Sequence, residues 1–255
     1  MRILVTGARG FIGSHLCPAL AAAGHELRAS VDGCDAVVHL ANIAHTDASP
    51  AELHRVNVEG TIAQARAALA AGARRFIYLS SIKAAQPVDA YGRAKSIAEQ
   101  ALLRLEGLEP VILRPPLVYG PRVKANFLAL MRAIARGWPL PLARIENRRS
   151  LIYIGNLVDA ILRCLEGPAG IFELSDGAPV STPELCRAIG RALDRPARLY
   201  PFPVALLRLL PGASRLVESQ VTDDSTIQAA LGWRPPFTFE QGLKDTAEWY
   251  RAQGG

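Results

Sequence analysis

The stretch Thr6-Gly7-Ala8-Arg9-Gly10-Phe11-Ile12-Gly13 decides the predicted fold, because it joins a short apolar strand pattern to an alanine-rich helix pattern. In that setting Gly7 permits a tight turn, Gly10 lets the backbone approach a pyrophosphate, and Gly13 lets the helix pack closely on the sheet. The free N–H groups of the helix N-terminus favour phosphate. The stretch therefore predicts a dinucleotide-binding loop.

Outward from this loop, strand and helix patterns alternate through the first half of the chain. Strands are predicted over 2–6, 26–30, 36–40, 76–79 and 111–113, and helices over 11–22, 50–71 and 91–106. This order predicts the α/β class, with a Rossmann-like doubly wound parallel sheet. A connection that is short by one helix–strand unit is predicted after residue 30.

Beyond Pro115-Pro116 the pattern becomes mainly helical and predicts a smaller substrate-binding lobe. Strands are predicted over 151–154 and 171–174, and helices over 124–136, 203–210, 223–231 and 238–252, from Asn156, and after a capping box at Ser181. The predicted dinucleotide-binding domain is 1–120 plus about 151–176. The predicted lobe is about 121–150 plus 177–255.

Composition limits the function classes. The 255 residues carry a net charge of +6, and half of them are hydrophobic. The arginines are dispersed and no aromatic-rich basic stretch accompanies them, so we expect no nucleic-acid partner. They indicate either an ordinary solvated surface or an anionic small substrate, since arginine pairs well with phosphate.

Targeting and metal signals are weak. No apolar run reaches the roughly 18 residues of a membrane span, and the strand pattern begins at once, which leaves no room for a signal peptide; a cytoplasmic location is the expectation. The four cysteines lack paired spacing, and no histidine follows residue 54. Neither a disulfide frame nor a metal site is predicted.

Two further features point to chemistry at the carboxyl ends of the strands, where doubly wound sheets bind ligands. Tyr91 and Lys95 lie four residues apart on a predicted helix and so share a face. A lysine ammonium is expected to lower the pKa of the phenol, which could then take a proton from a hydroxyl. Ser80-Ser81 follows the strand at 76–79 and offers a hydroxyl to the same oxygen.

Together with the glycine loop, these features resemble the extended short-chain dehydrogenase/reductases, specifically the NAD-dependent epimerase/dehydratase family. The other matching stretches are Val37-Val38-His39-Leu40-Ala41, Asn57-Val58-Glu59-Gly60-Thr61, Arg114-Pro115-Pro116-Leu117-Val118-Tyr119-Gly120-Pro121 and Leu231-Gly232-Trp233-Arg234-Pro235. Within the family, the segments around Ser80–Lys83, 123–127 and 147–151 are similar to bacterial enzymes of surface-polysaccharide sugar synthesis.

The resemblance implies roles for individual residues. Ser81, Tyr91 and Lys95 would be catalytic, and Ser81, Ile82, Lys83, Asn126 and Arg149 would bind substrate, the last two at the nucleotide diphosphate. The implied cofactor contacts are Gly7, Gly10, Phe11, Ile12, Gly13, Leu40, Ala41, Asn57, Lys95 and Pro115. Ile82 and Lys83 stand where the family's dehydratases carry an acidic pair, so dehydration is not expected.

Two departures concern the cofactor and sugar sites. The missing helix–strand unit falls between Ser30 and Gly33, and the interval from Ser81 to Tyr91 is short for the family. Asp32 lies 19 residues after Gly13 and could bind the adenosine ribose of NAD. Arg9 and Arg28 could instead meet the 2′-phosphate of NADP. NAD is the predicted cofactor, with NADP as the alternative.

The leading functional hypothesis is a nucleotide-sugar 4-epimerase acting on a UDP-linked (N-acetyl)hexosamine through transient C4 oxidation. The alternative is an NAD(P)H-dependent 4-keto reductase of a UDP-4-keto-6-deoxy-hexosamine. A non-catalytic dinucleotide-binding regulator is a third reading. The alanine-rich helices at 50–71 and 91–106 predict a homodimer, since small side chains let helices approach closely.

Overall fold

The structure is a computed structural model that describes residues 1–43, 48–209 and 214–254. The chain forms two compact units. The first comprises Met1–Pro115, Leu157–Leu174 and Asp223–Arg234, and the second comprises Pro116–Asn156, Ser175–Thr222 and Pro235–Gly255.

A parallel sheet forms the centre of the first unit. Its strands in chain order are β1 (Arg2–Thr6), β2 (Glu26–Arg28), β3 (Ala36–His39), β4 (Arg75–Leu79), β5 (Glu109–Arg114) and, after two strands of the second unit, β8 (Gly170–Glu173). They are ordered β2-β1-β3-β4-β5-β8. Every neighbouring pair is parallel. The predicted α/β fold with a Rossmann-like parallel sheet is confirmed.

Helices of this unit connect the strands. They are α1 (Gly13–Ala22), α2 (Pro50–His54), α3 (Gly60–Ala70), α4 (Ala90–Leu103), α6 (Ile154–Cys164, entering from the second unit) and α10 (Ser225–Leu231), with a 3₁₀ turn at Ile82–Ala84. Ser49 caps α2 and Asp89 caps α4 through their side chains. Such caps satisfy backbone N–H groups that have no partner inside the helix.

The predicted single helix over 50–71 is wrong in one respect, because a π-helical turn at Arg55–Glu59 interrupts it. Its wider turn carries Asn57, whose amide clamps the backbone of Ile43. Asn57 Oδ1 accepts from the Ile43 N–H at 2.8 Å, and Asn57 Nδ2 donates to the Ile43 carbonyl at 2.9 Å. The turn therefore anchors the chain that follows β3.

The core on one face of the sheet explains the alanine content of α3 and α4. Small residues of these helices pack on large side chains of the central strands, which lets helix and sheet approach closely. The buried cluster contains Cys34, Val37, Ala65, Ala68, Ala73, Phe76, Tyr78, Ala98, Leu102, Leu108 and Ile112.

Strand β2 is shorter than the predicted 26–30. Its register pairs Arg2 with Glu26 and Leu4 with Arg28. After Arg28 the chain turns through 29–35 and enters β3 without a helix or a further strand, as the shortened sequence predicts. Asp35 fixes the end of this crossover, because its carboxylate accepts from the Arg2 N–H and guanidinium, both at 2.7 Å.

The second unit contains a small parallel sheet of β6 (Leu117–Tyr119) and β7 (Leu151–Tyr153). Its helices are α5 (Ala125–Ala135), α7 (Thr182–Ala192), α8 (Val204–Leu207), α9 (Ser214–Val217) and α11 (Phe239–Ala252). The predicted capping box at Ser181 is present. Residue 210 of the predicted helix over 203–210 lies outside the described residues.

Relative to the predicted domain division, two segments lie in the other unit. The strand at 151–153 belongs with the second unit because it pairs with β6. Residues 223–234 belong with the first unit, where α10 packs on β8.

In the described part of the chain, no helix combines the length and apolar character needed to cross a bilayer.

Candidate active site

The glycine loop has the geometry that a pyrophosphate requires. Gly7 adopts a φ of +73°, and its carbonyl accepts the Gly10 N–H at 2.9 Å. A Cβ on Gly13 would lie 2.4 Å from the Gly7 carbonyl oxygen, so only glycine fits there. Helix α1 begins at this point with no side chain capping its N-terminus. The Ser14 N–H donates to the Gly10 carbonyl at 3.0 Å, but among the described residues the N–H groups of Phe11, Ile12 and Gly13 have no backbone partner. These three groups are available to an anion.

Predicted cofactor contacts converge on this loop from the neighbouring strand. A Cβ on Gly7 would lie 2.9 Å from the Ala41 nitrogen and 3.0 Å from the Leu40 carbonyl carbon. The Ala41 N–H donates to Thr6 Oγ1 at 3.3 Å. Phe11 and Ile12 lie at the start of α1. The loop residues predicted to bind the dinucleotide are thus close together.

Behind the loop, His39 is buried in a hydrogen-bonded chain that the sequence reasoning did not use as a site. His39 Nδ1 lies 2.8 Å from Thr6 Oγ1, and His39 Nε2 lies 3.2 Å from Thr61 Oγ1. Burial, together with the charge of Lys95, lowers the pKa of His39 to about 4. The imidazole is neutral at pH 7 and ties the strand ends of β1 and β3 to α3.

The predicted catalytic residues lie together after β4. Ser81 follows the strand and accepts the Lys83 N–H at 3.3 Å, while Tyr91 and Lys95 share one face of α4. Ser81 lies near enough to the Tyr91 hydroxyl to lower its pKa. Lys95 Nζ lies 5.9 Å from the centre of the Tyr91 ring and donates to the Leu79 carbonyl at 2.6 Å. A serine, a phenol and a lysine therefore meet at the carboxyl edge of the sheet.

The expected lowering of the phenol pKa is wrong for this structure. Burial raises the pKa of Tyr91 to about 12, and the nearby Ser81 only partly opposes that rise. Lys95 is 1% exposed. Burial lowers the pKa of Lys95 to about 7, with Glu99 acting in the opposite direction. A half-neutral lysine provides little charge to stabilise a phenolate, so Tyr91 is protonated at pH 7.

The short interval between Ser81 and Tyr91 is closed by contacts around Asp89. Its carboxylate accepts from Lys83 Nζ at 2.5 Å and from the Gly92 N–H at 2.7 Å. Burial raises the pKa of Asp89, but these two hydrogen bonds outweigh that effect and lower it overall. A Cβ on Gly92 would lie 2.6 Å from the Lys83 carbonyl oxygen. Lys83, predicted to contact substrate, is therefore ion-paired with the helix cap.

A buried ion pair between Glu99 and Arg114 supports the helix that carries Tyr91 and Lys95. Glu99, 2% exposed, accepts from Arg114 Nε at 3.0 Å and from Arg114 Nη2 at 2.5 Å, and also accepts a very short hydrogen bond from Ser80 Oγ. Glu99 lies one helical turn after Lys95, so the pair links the catalytic helix to β4 and β5. This network was not predicted, because the sequence does not show which charges are buried.

The remaining predicted site residues of the first unit occupy different positions. The Pro115 carbonyl accepts the Ile82 N–H at 3.1 Å, which places both beside Ser81. Asn57 holds the backbone of Ile43. Asp32 is exposed and accepts a hydrogen bond from Ser30 Oγ at 3.2 Å.

Asn126 and Arg149 belong to the second unit. Asn126 is exposed in the first turn of α5, a helix without a side-chain cap. Burial lowers the pKa of Arg149, and Glu218 partly offsets this effect. Within the described residues, the Arg149 guanidinium has no hydrogen bond and no ion pair. A partly buried cation that no carboxylate contacts directly is a suitable partner for an anion.

Asn42 is a candidate site residue that sequence reasoning missed. It follows Ala41 at the carboxyl end of β3, and both polar atoms of its amide are buried without a partner in the structure. Buried polar groups are normally paired, so an unpaired amide at this edge is available to a ligand. A polar residue directly after a buried strand was the sequence signal.

Fold and site together define a dinucleotide-dependent enzyme of the short-chain dehydrogenase type. The sequence model of the NAD dependent epimerase/dehydratase family matches residues 3–33 and 26–173, and the chain belongs to this family. The family and enzyme class inferred from the sequence are confirmed. The two matched segments meet at the junction after β2, where the helix–strand unit is missing.

Known relatives agree with this assignment. A UDP-glucose 4-epimerase of Vibrio cholerae is 37% identical over an alignment of 309 positions, which covers 96% of this chain and 94% of the relative. The alignment is longer than this chain, so the relative carries residues that have no counterpart here.

Solved structures share the fold. A UDP-glucose 4-epimerase of Thermotoga maritima, determined with UDP-glucose, superimposes with a TM-score of 0.83 at 24% identity and full coverage of both chains. The Bordetella bronchiseptica enzyme WbmG, determined with NAD and UDP, gives a TM-score of 0.82 at 23% identity, covering 100% of this chain and 96% of that one.

Proposed function

We propose that the protein is a nucleotide-sugar 4-epimerase that acts on a UDP-linked hexose or N-acetylhexosamine with NAD as cofactor. The observation that supports this most is the meeting of Ser81, Tyr91 and Lys95 beside the glycine loop. The relationship to a UDP-glucose 4-epimerase supports the same reaction. Bound NAD would supply the hydride acceptor and donor for C4.

Each catalytic side chain has a task that its position allows. In its phenolate form Tyr91 takes the proton of the sugar 4-hydroxyl as general base, and in its phenol form, which its raised pKa favours at pH 7, it returns the proton as general acid. Ser81 binds the same oxygen and stabilises charge on it. Lys95 orients the nicotinamide ribose, and its ammonium form favours the phenolate of Tyr91.

The glycine loop fits the cofactor's pyrophosphate, because α1 has no side-chain cap and a Cβ on Gly10 would lie only 3.1 Å from the Gly7 carbonyl oxygen. For the substrate, we propose that Asn126 and Arg149 bind the diphosphate of UDP. The unpaired guanidinium of Arg149 supports this assignment, since arginine and phosphate form strong charge-assisted hydrogen bonds.

A 4-keto reductase is the second candidate, and the pKa of Tyr91 favours it. A phenol whose pKa is raised to about 12 keeps its proton at pH 7. It is therefore ready to donate that proton to a ketone oxygen, as reduction of a 4-keto sugar requires. Such an enzyme would consume NAD(P)H in every turnover.

The test is a product assay by NMR or chromatography. Purified protein with NAD is incubated separately with UDP-glucose, UDP-galactose, UDP-N-acetylglucosamine and UDP-N-acetylgalactosamine. Interconversion of either pair supports the epimerase, and loss of activity in Tyr91→Phe but not in Tyr200→Phe ties it to the site. Oxidation of NAD(P)H in proportion to a UDP-4-keto-6-deoxy-hexosamine, without interconversion, would instead establish the reductase.

We also propose a homodimer formed through α2, α3 and α4. Helix α4 exposes Ile97 and Leu103, which are 45% and 50% accessible. Large exposed apolar side chains on one helix favour association. Light scattering should give twice the 27.4 kDa chain mass, and Ile97→Glu with Leu103→Glu should give the monomer. A wild-type monomer at micromolar concentration would contradict this proposal.

A further inference from the structure

The side of the sheet next to β2 is open at the level of the glycine loop. Strand β2 ends beside Leu4, so Val5 and Thr6 have no strand partner on that side, although they pair with β3 on the other. Two residues correspond to about 7 Å of strand. Strand β2 therefore ends before it reaches the level of the glycine loop, and it does not flank the loop on this side.

The segment that follows, residues 29–35, contains no helix or strand that could flank the loop instead. From Arg28, at the carboxyl end of β2, the chain runs back to the amino ends of the strands. There the Asp35 N–H donates to the Arg2 carbonyl at 2.8 Å. In dinucleotide folds a further strand lies outside the second one, in the order 3-2-1-4. Here β2 is itself the edge, and Leu27 is 40% exposed.

Two charged side chains expected at the adenosine end, Asp32 and Arg28, already have partners within the chain. An acidic residue about 20 positions beyond the glycine loop normally holds the adenosine ribose. Asp32 lies on the segment that leads away from the loop and is bonded to Ser30. Arg28 pairs with Glu26 at 2.7 Å, so it is not a free partner for a 2′-phosphate.

We propose that this protein holds the dinucleotide through its pyrophosphate and nicotinamide only, leaves the adenosine half exposed, and therefore uses a cofactor that dissociates between turnovers. The inference rests on the proposed function, because it concerns the cofactor of the same site. Affinity falls when the apolar surface of adenine is left in water. Asp32 and Arg28, which could distinguish NAD from NADP, are bonded to other residues of the chain.

Calorimetry with NAD and NADP, together with nucleotide analysis of the purified protein, tests this proposal without an activity readout. We expect protein purified without bound dinucleotide, and dissociation constants for NAD and NADP that differ by less than about tenfold. Asp32→Ala and Arg28→Ala should leave both constants within about twofold of wild type. Gly10→Val, the control at the pyrophosphate, should abolish binding of both.

Three results would overturn the inference. One is NAD that copurifies in stoichiometric amount and survives gel filtration. Another is a large preference for one dinucleotide that Asp32→Ala or Arg28→Ala removes. If retained NAD accompanies UDP-sugar interconversion, only this inference fails and the epimerase proposal stands. The third result is that neither NAD nor NADP binds, which would overturn both this inference and the epimerase proposal.

Discussion

Strand β4 with α4 and strand β2 with its crossover lie on opposite sides of the glycine loop, and they differ in how fully each is enclosed. On the β4 side, Lys95 and Glu99 are buried, and hydrogen bonds of Asp89 close the short connection between Ser81 and Tyr91. On the β2 side, all three strand residues are exposed. The difference supports both proposals together, because the residues proposed for catalysis are enclosed while the side proposed to face the adenosine is open.

The largest expected effect tests the enclosed side. Tyr91→Phe removes the hydroxyl that exchanges a proton with the sugar, and loss of a general acid–base costs roughly 10²–10⁴-fold in turnover. Steady-state kinetics should show this loss in kcat with an unchanged melting temperature. Tyr200→Phe, which alters an exposed tyrosine, should retain wild-type rates. Comparable activity in both variants would remove Tyr91 from the mechanism.

The next effect concerns the link between the two sides, His39. Because burial lowers its folded-state pKa to about 4, the unfolded chain binds a proton first as the pH falls below about 6.5. Stability from neutral His39 is present above pH 6.5 and is lost as the pH falls toward 4, by about 3 kcal/mol.

Denaturant titrations at pH 7 and pH 4 measure this loss. His39→Gln should be less stable at pH 7 and should lose less stability on acidification than wild type. His54→Gln, at an exposed position, should follow the wild-type curve. An identical pH dependence for His39→Gln and wild type would contradict the assignment.

A third effect tests how the short Ser81–Tyr91 interval is closed. In Gly92→Ala the new methyl group meets the Lys83 carbonyl oxygen, and overpacking of this kind costs about 1–3 kcal/mol. We expect a lower melting temperature and a lower kcat, because α4 must move away from Ser81. Gly60→Ala is the matched control, since its Cβ would find the nearest atom at 3.7 Å. A stabilised Gly92→Ala protein would show that the contact is not tight.

The smallest effect belongs to the open side. Leu27→Ala should change the free energy of unfolding by no more than about 0.5 kcal/mol, as expected for a surface position. Ile77→Ala, at a fully buried position of β4, should cost about 2–5 kcal/mol. Denaturant unfolding measures both. A large cost for Leu27→Ala would mean that β2 is covered in solution.

Much of the first unit could be predicted, because its elements have strong local signals. The glycine loop, the buried strands and the Tyr91/Lys95 spacing each depend on residues close together in sequence. The π turn at Arg55–Glu59 could not be predicted, since the helical segment before it is too short to reveal the shift of apolar phase that one extra residue causes. Strand β6 was missed because three residues show no periodicity.

The pKa values of the site residues were less predictable than which residues form the site. The side chains of Ser81, Tyr91 and Lys95 were placed together, but the direction of the Tyr91 pKa shift was wrong. That direction depends on burial by residues distant in sequence, and burial outweighs a nearby lysine that has itself lost part of its charge. The Glu99–Arg114 pair was missed for the same reason.

The π turn also bears on how this chain could change over evolutionary time. Such a turn amounts to a single inserted residue, and removing one residue from Arg55–Glu59 would restore a regular α-helix. The segment before it would then rotate by about 100° relative to α3. Leu53 would leave its apolar cluster and Asn57 would release Ile43. This stretch should therefore tolerate substitutions far better than deletions.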